Sequence, residues 1–203
     1  MKIYNLIQHS LAIVAFASLA LVTPVSAATD TEQEAAQFIE NLAEQTIAIL
    51  EQGLSDEELE LALSKLLEDN VAIARIGRVV AGTYIRRMSP AQRAAYDDMY
   101  REWVIASVVS RFKRFADVGW VLKKTYARKK DVIVRTLLSD PQRQTPVNCD
   151  WRVRKIKGQF QILDVVVEGA SLVATQKSEF TAILKRDGVD GLLAQLQTQI
   201  EKQ

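Results

Sequence analysis

At 203 residues, with 26 Lys+Arg against 25 Asp+Glu, the chain is long enough for one domain with a sizeable core, and too close to neutral to track a nucleic-acid backbone. One cysteine, Cys149, excludes an internal disulfide, and the one histidine, His9, lies in a segment expected to be removed.

That segment comes first. Lys2 gives a positive start, and Leu11 to Val22 is an unbroken run of apolar and small residues. Thr23-Pro24-Val25-Ser26-Ala27-Ala28 then offers small residues at the −3 and −1 positions of a cleavage after Ala27. At about a dozen residues the apolar run falls short of the roughly 20 that span a bilayer as a helix. Residues 1–27 therefore read as a cleavable secretory signal peptide, and 28–203 as one secreted domain, expected to be a soluble monomer. Losing Lys2 leaves 25 basic against 25 acidic residues.

Ala35, Phe38, Ile39, Leu42, Ile47, Ile49 and Leu50 recur at three- and four-residue spacing, so about 31–51 reads as an amphipathic helix ended at Gln52-Gly53. Ser55-Asp56-Glu57-Glu58 is a capping box opening a helix to about Asn70. Val71 to Gly82 is helical but interrupted by glycines. Ser89-Pro90-Ala91-Gln92 starts a long helix, running to about Phe115, with an apolar stripe of Met99, Tyr100, Trp103, Val104, Val108 and Phe112.

From Val118 the period becomes two. Trp120–Arg128, Val132–Leu138, Val147–Ile156 and Phe160–Val167 read as strands joined by short linkers, hence as an antiparallel sheet. After Glu168-Gly169-Ala170-Ser171, helices over about Thr175–Lys185 and Val189–Ile200 close the chain, with Asp187-Gly188 between them. The order predicts an α+β fold, a curved four-stranded antiparallel sheet against a helical layer, able to leave a cavity between them.

The last hairpin decides which residues share a face. A three-residue loop, Lys157-Gly158-Gln159, sets Arg152 opposite Asp164 and gathers Val153 with Leu163, Trp151 with Val165 and Cys149 with Val167 on the other face. A two-residue loop sets Asp164 beside Trp151, because a one-residue slip exchanges faces. The first register is favoured, since it leaves no lone carboxylate on the apolar face.

The chemistry is narrow. Without His9 there is no imidazole for nucleophilic or metal chemistry, a lone Cys builds no thiolate zinc site, and no glycine-rich phosphate loop is present. No catalytic residue, metal or cofactor is expected. Cys149, in phase with Val147, Trp151 and Val153, reads as a core thiol. An acid–base enzyme would have to use Asp164 with Tyr84 or Tyr126. The alternative is that Asp164 is structural, paired with Arg152. Arg128-Lys129-Lys130 reads as a solvated surface, with contact to anionic headgroups as the alternative.

Several segments together resemble the MlaC family of periplasmic phospholipid-binding proteins, also called the toluene-tolerance auxiliary family, which includes hopanoid-associated members. They are Cys149-Asp150-Trp151-Arg152-Val153-Arg154, Ile162 to Leu172, Thr175 to Phe180, Ile76 to Tyr84, Ser89 to Arg93 and Gly188 to Leu193. The chain departs from that family at Ala81, Ile85 and Val108, where Leu, Trp and Tyr are usual. The resemblance implies a fold like nuclear transport factor 2 with added helices, and a non-enzymatic carrier of phospholipid or a similar lipid. It also implies partners: an inner-membrane ABC transporter bearing an MCE-domain ring, and an outer-membrane lipoprotein–porin complex. On it, the expected lipid-lining residues are Tyr84, Tyr100, Trp103, Val104, Val108, Phe112, Trp120, Trp151, Val153, Leu163, Val165 and Val167.

Overall fold

Thr29 opens the fold. Its side chain accepts the Glu32 N–H while the Glu32 carboxylate accepts the Thr29 N–H, which satisfies two of the free donors at the start of helix α1 (Asp30–Glu51). The computed structural model describes residues 29–112, 119–139, 141 and 145–202; the side chains of Arg111 and Phe112 lie outside that description, as do the expected signal segment and the expected continuation of the long helix to Phe115. Ser55 and Glu58 make the predicted capping box on α2 (Asp56–Asn70). Next come α3 (Ile73–Ala81) and a 3₁₀ segment, Gly82–Arg86. Ser89 and Gln92 cap α4 (Pro90–Phe112) as predicted.

The strands are β1 (Gly119–Arg128), β2 (Asp131–Ser139), β3 (Val147–Ile156), β4 (Gln159–Val167) and β5 (Ala170–Ser171), in the order β1-β2-β3-β4-β5, every pairing antiparallel. The fold class is the predicted α+β. The sheet has five strands rather than four, because Glu168 and Gly169, both at positive φ, turn the chain back so that Ala170 pairs with Val167. The last helix, α5 (Leu172–Ile200), starts three residues earlier than expected, since Ser171 accepts the Ala174 N–H and serves as its cap. It is broken at Gly188, whose φ of 70° and ψ of −168° no helix adopts.

Both readings of the last hairpin hold, each over half its length. The turn is the two-residue one: Lys157 and Gly158 take φ of 50° and 88°, and Ile156 pairs with Gln159. Near the turn Val153 therefore pairs with Ile162, not with Leu163. A bulge then inserts Leu163 as one extra residue in β4, and beyond it the favoured register returns: Arg152 opposite Asp164, Trp151 opposite Val165, Cys149 opposite Val167.

The interior has two parts. A helical core gathers Leu63, Ile73, Val80, Tyr96, Tyr100, Ile105, Val109, Phe180, Leu184 and Leu192 from α2 to α5. A second cluster packs Ala35 and Ile39 of α1 on Val132, Val134, Val153, Phe160 and Ile162 of the sheet. The seam between them is a bridge from Val71 to Ile162, with the Ala72 N–H donating to the Ile162 carbonyl at 3.0 Å. In the helical core, α3 and α4 meet at Gly77. The Tyr96 hydroxyl donates to its carbonyl at 2.8 Å, and a Cβ there would sit 2.7 Å from Cδ1 of Tyr100. Burial holds both phenols well above their ordinary pKa; for Tyr96 the neighbouring Tyr100 and Asp97 add to it.

Asp164 ties sheet to helix. Only 6% exposed, its carboxylate accepts the Ser171 hydroxyl at 2.6 Å and the Val173 N–H at 3.2 Å, which fixes the first turn of α5 on β4. It makes no ion pair with Arg152, which lies 3.9 Å from Asp131 instead.

Two substitutions test this packing. Gly77→Ala gains about 1 kcal/mol of helix propensity but overpacks the Tyr100 ring by about 1–3 kcal/mol, so a net loss on the order of 1 kcal/mol is expected in urea unfolding. Asp164→Ala strands the buried Val173 N–H and the Ser171 hydroxyl; a loss of about 2–3 kcal/mol is expected, with proteolysis first exposed at the start of α5.

Candidate functional site

The apolar face of the sheet is built by strand alternation. On β3, Cys149, Trp151 and Val153 point one way; across the pairings they meet Thr136, Val134 and Val132 of β2 and Val167, Val165 and Ile162 of β4. Leu122 and Trp120 of β1 continue the same face, opposite Thr136 and Leu138.

Cover over this face is uneven. At the end nearest the Lys157-Gly158 turn, α1 seals it: Ala35 and Ile39 are buried, and Phe38 stacks tilted on Phe160 at 5.9 Å between centroids. Towards the other end, Trp120, Leu122, Leu138, Trp151, Val165 and Val167 are only half-buried. The result is an apolar shelf, sealed at one end and half-covered at the other. Its one central polar group is neutral: the Thr136 hydroxyl, buried, accepts the Trp151 indole N–H at 2.9 Å and donates to the Cys149 carbonyl at 3.3 Å. That bond ties the indole to β2. Cys149 is 1% exposed, and burial first, then the neighbouring Asp150 charge, pushes its thiol up to about 12, so it stays a neutral thiol at any ordinary pH.

The opposite face is ionic. Arg135 grips Asp150 through two bonds, 2.6 and 2.7 Å, and Arg154 bonds Asp131 at 2.5 Å. Asp164 belongs to this side, not to the shelf. Tyr126, Ile133, Arg152 and Asp164 lie in one cross-strand row, so Tyr126 stands three strand spacings, roughly 14 Å, from Asp164. Tyr84 packs against the helical core, with the Arg87 guanidinium 5.2 Å from its ring centre. The structure thus joins Asp164 to neither tyrosine. Among the described residues no His, Cys, Asp and Glu cluster is placed to hold a metal, and no helix is long and apolar enough to cross a membrane.

The expected lining residues separate into groups. Trp120, Trp151, Val153, Val165 and Val167 share the apolar face. Tyr100 is in the helical core, its ring edge-on to Phe180 and its hydroxyl bonded to Gln176; Trp103 and Val104 pack on the same core, and the Trp103 indole N–H reaches Gln199. Val108 is half-buried on α4, and the Phe112 side chain is outside the described residues. Leu163, carried by the bulge, lines a cleft on the ionic side with Arg75, Ile76, Val79, Arg152, Arg154 and Val173. The face also includes Leu122, Val134, Thr136 and Leu138, which the sequence reading placed on strands without assigning them to the site. The alternation of β1 and β2, the signal used for β3 and β4, marks them equally well. Phe38 and Leu42 of α1 complete the cover.

This geometry has known counterparts. A solved structure of a phospholipid-binding protein from Ralstonia solanacearum, in complex with a phospholipid, superposes with a TM-score of 0.72 at 19% identity, covering 83% of this chain and 97% of that one. The family model for MlaC protein matches residues 40–198, most of the chain, from the middle of α1 to the end of α5. The chain belongs to the MlaC family.

Proposed function

We propose that the chain is a periplasmic carrier that holds the acyl chains of a phospholipid, or a similar membrane lipid, against the apolar shelf, and shuttles it between outer- and inner-membrane complexes. The observation that carries this reading is the half-covered shelf itself: Trp120, Leu122, Leu138, Trp151, Val165 and Val167 form an apolar surface that α1 only partly covers. Family membership and the phospholipid bound in the Ralstonia protein support it.

Elementary energetics say what such a site has to supply. Each buried methylene is worth about 0.8 kcal/mol, so two acyl chains of roughly 15 methylenes hold a lipid in its bilayer by on the order of 25 kcal/mol. Crossing water unaided is then negligible. A carrier must offer comparable apolar shelter while leaving the charged headgroup in water. A shelf of Val, Leu and Trp with a single internally bonded hydroxyl offers apolar contact to acyl chains without a metal, a base or a nucleophile. Asp164, the one carboxylate that an acid–base enzyme would have used, is bonded to Ser171 and Val173 on the other side of the sheet. The chain is therefore read as a binding protein and not an enzyme. A signal peptide cleaved after Ala27, an ABC transporter with an MCE-domain ring and a lipoprotein–porin complex complete the proposal.

Protein purified from periplasm and sprayed natively should show a mass excess of one diacyl lipid, identified by extraction; repeated preparations that show only the bare chain would overturn the carrier reading. Val165→Glu places a carboxylate on the shelf beside Trp151. Burying it unpaired costs several kcal/mol, but the half-open position lets water reach it, so lipid loading should fall at least tenfold while the circular dichroism spectrum holds. A folded Val165→Glu protein loaded like the wild type would show that the shelf is not the wall.

A further inference from the structure

The cleft on the ionic side of the sheet is unlike the shelf. Arg75, Ile76 and Val79 of α3 form one wall, Arg152, Arg154 and Leu163 of β3 and β4 the other, and Val173 the end. Arg75 and Arg78, one helical turn apart and exposed, make no hydrogen bond or ion pair among the described residues. Val79 beside them is 45% exposed. Arg152 is under-bonded: its Nε is buried with no hydrogen-bond partner, and its Nη2 reaches only the Leu163 carbonyl at 3.4 Å. That Nε stands 3.9 Å from the Asp131 carboxylate, beyond hydrogen-bond reach, so the guanidinium keeps donors to offer. The acids at hand are already engaged: Asp131 with Arg154, and Asp164 with Ser171 and Val173. Three guanidiniums of the cleft, Arg75, Arg152 and Arg154, with Arg78 one turn along α3, thus stand against the two carboxylates of Asp131 and Asp164, an excess of two positive charges.

The near-neutral total hides a strong separation of charge. From Asp30 to Asp69 the chain has 12 acids and one base, Lys65; from Val71 to Tyr96 it has five arginines and no acid. An anionic surface repels α1 and α2 and attracts α3.

We propose that the cleft is a docking site for the phosphate group of an anionic lipid at a bilayer surface. A guanidinium fork matches phosphate oxygens, and the apolar floor of Ile76, Leu163 and Val173, rimmed by Val79, suits the glycerol and first methylenes below the phosphate. A free phosphate has no use for that floor. The inference does not rest on the carrier reading, because the cleft and the shelf lie on opposite faces of the sheet.

The test uses the chain from Ala28, which holds every residue of the described fold. It is cosedimented with vesicles of phosphatidylcholine alone and of phosphatidylcholine with phosphatidylglycerol. Binding should require phosphatidylglycerol and weaken with salt. The double variant Arg75→Gln/Arg78→Gln should melt as the wild type does and bind on the order of thirtyfold more weakly, at about a tenfold loss per 1.4 kcal/mol and about 1 kcal/mol per arginine. Arg152→Gln should weaken binding independently. Lipid copurifying with the double variant should be unchanged, which separates failure here from failure of the carrier reading. Equal binding to both vesicle types, or wild-type binding by both variants, would sink the proposal. So would inorganic phosphate binding alone as tightly as the vesicles, which marks a free-anion site, or preference for an acidic peptide over the vesicles, which marks a protein partner.

Discussion

Side chains on a strand alternate with period two, so a single extra residue exchanges faces for the rest of the strand. Leu163 is that residue. Without it, the two-residue turn at Lys157-Gly158 would carry Asp164 to the side of Trp151 and Val153, and place a carboxylate among valines. With it, the alternation is reset: Ile162 stays under α1, Val165 and Val167 remain on the apolar face, and Asp164 swings to the side where Ser171 and the Val173 N–H await it. The bulge therefore keeps the shelf free of charge and anchors α5 in one step. It also sets Leu163 itself, still buried, on the face of the arginine-lined cleft.

The two cores follow from where the helices can reach. The bridge between Val71 and Ile162 occupies the outer edge of β4, and α2, α3 and α5 meet the sheet there, while α1 crosses to β1 and β2. Helices α3, α4 and α5 satisfy one another around Tyr96, Tyr100 and Phe180, with Gly77 allowing the close approach. Having buried their aromatic residues in that core, they have little left to spread over the sheet. One helix with apolar residues at 35, 38, 39 and 42 cannot cover strands nine or ten residues long. The uncovered remainder is a consequence of the packing, not an error in it.

The sequence was most legible where local chemistry decides. Ser55 with Glu58 and Ser89 with Gln92 announced their helices, because the cap is made by residues three apart. Period-two alternation located the four long strands. Two things escaped it. Nothing local tells Leu163 to bulge; the competing registers differ only in what the chain does beyond the hairpin, so each looked like a full answer and each was half of one. And helical stripes do not say what they face: Tyr100 and Trp103 sit on the same apolar periodicity a cavity wall would have, yet Phe180, about 80 residues away, is their partner. Ser171 was read as loop for a related reason, since its role as a cap depends on Asp164 holding it from another strand.

Charge on this chain is meaningful by place and not by sum. A total near zero argues against a polyanion such as nucleic acid, because that partner integrates over many sites. A bilayer touches only one face, and screening over about 8–10 Å hides the acids of α1 and α2 from what α3 meets. The two proposed contacts also differ in scale. A few exposed arginines hold a surface by a few kcal/mol, weak enough to release. The shelf must match tens of kcal/mol of acyl burial. Surface attraction of that size cannot by itself draw a lipid out of a membrane. It can only hold the chain at a surface; the shelf, on the opposite face of the sheet, then points away from that surface, so docking through the cleft and loading of the shelf are separate events.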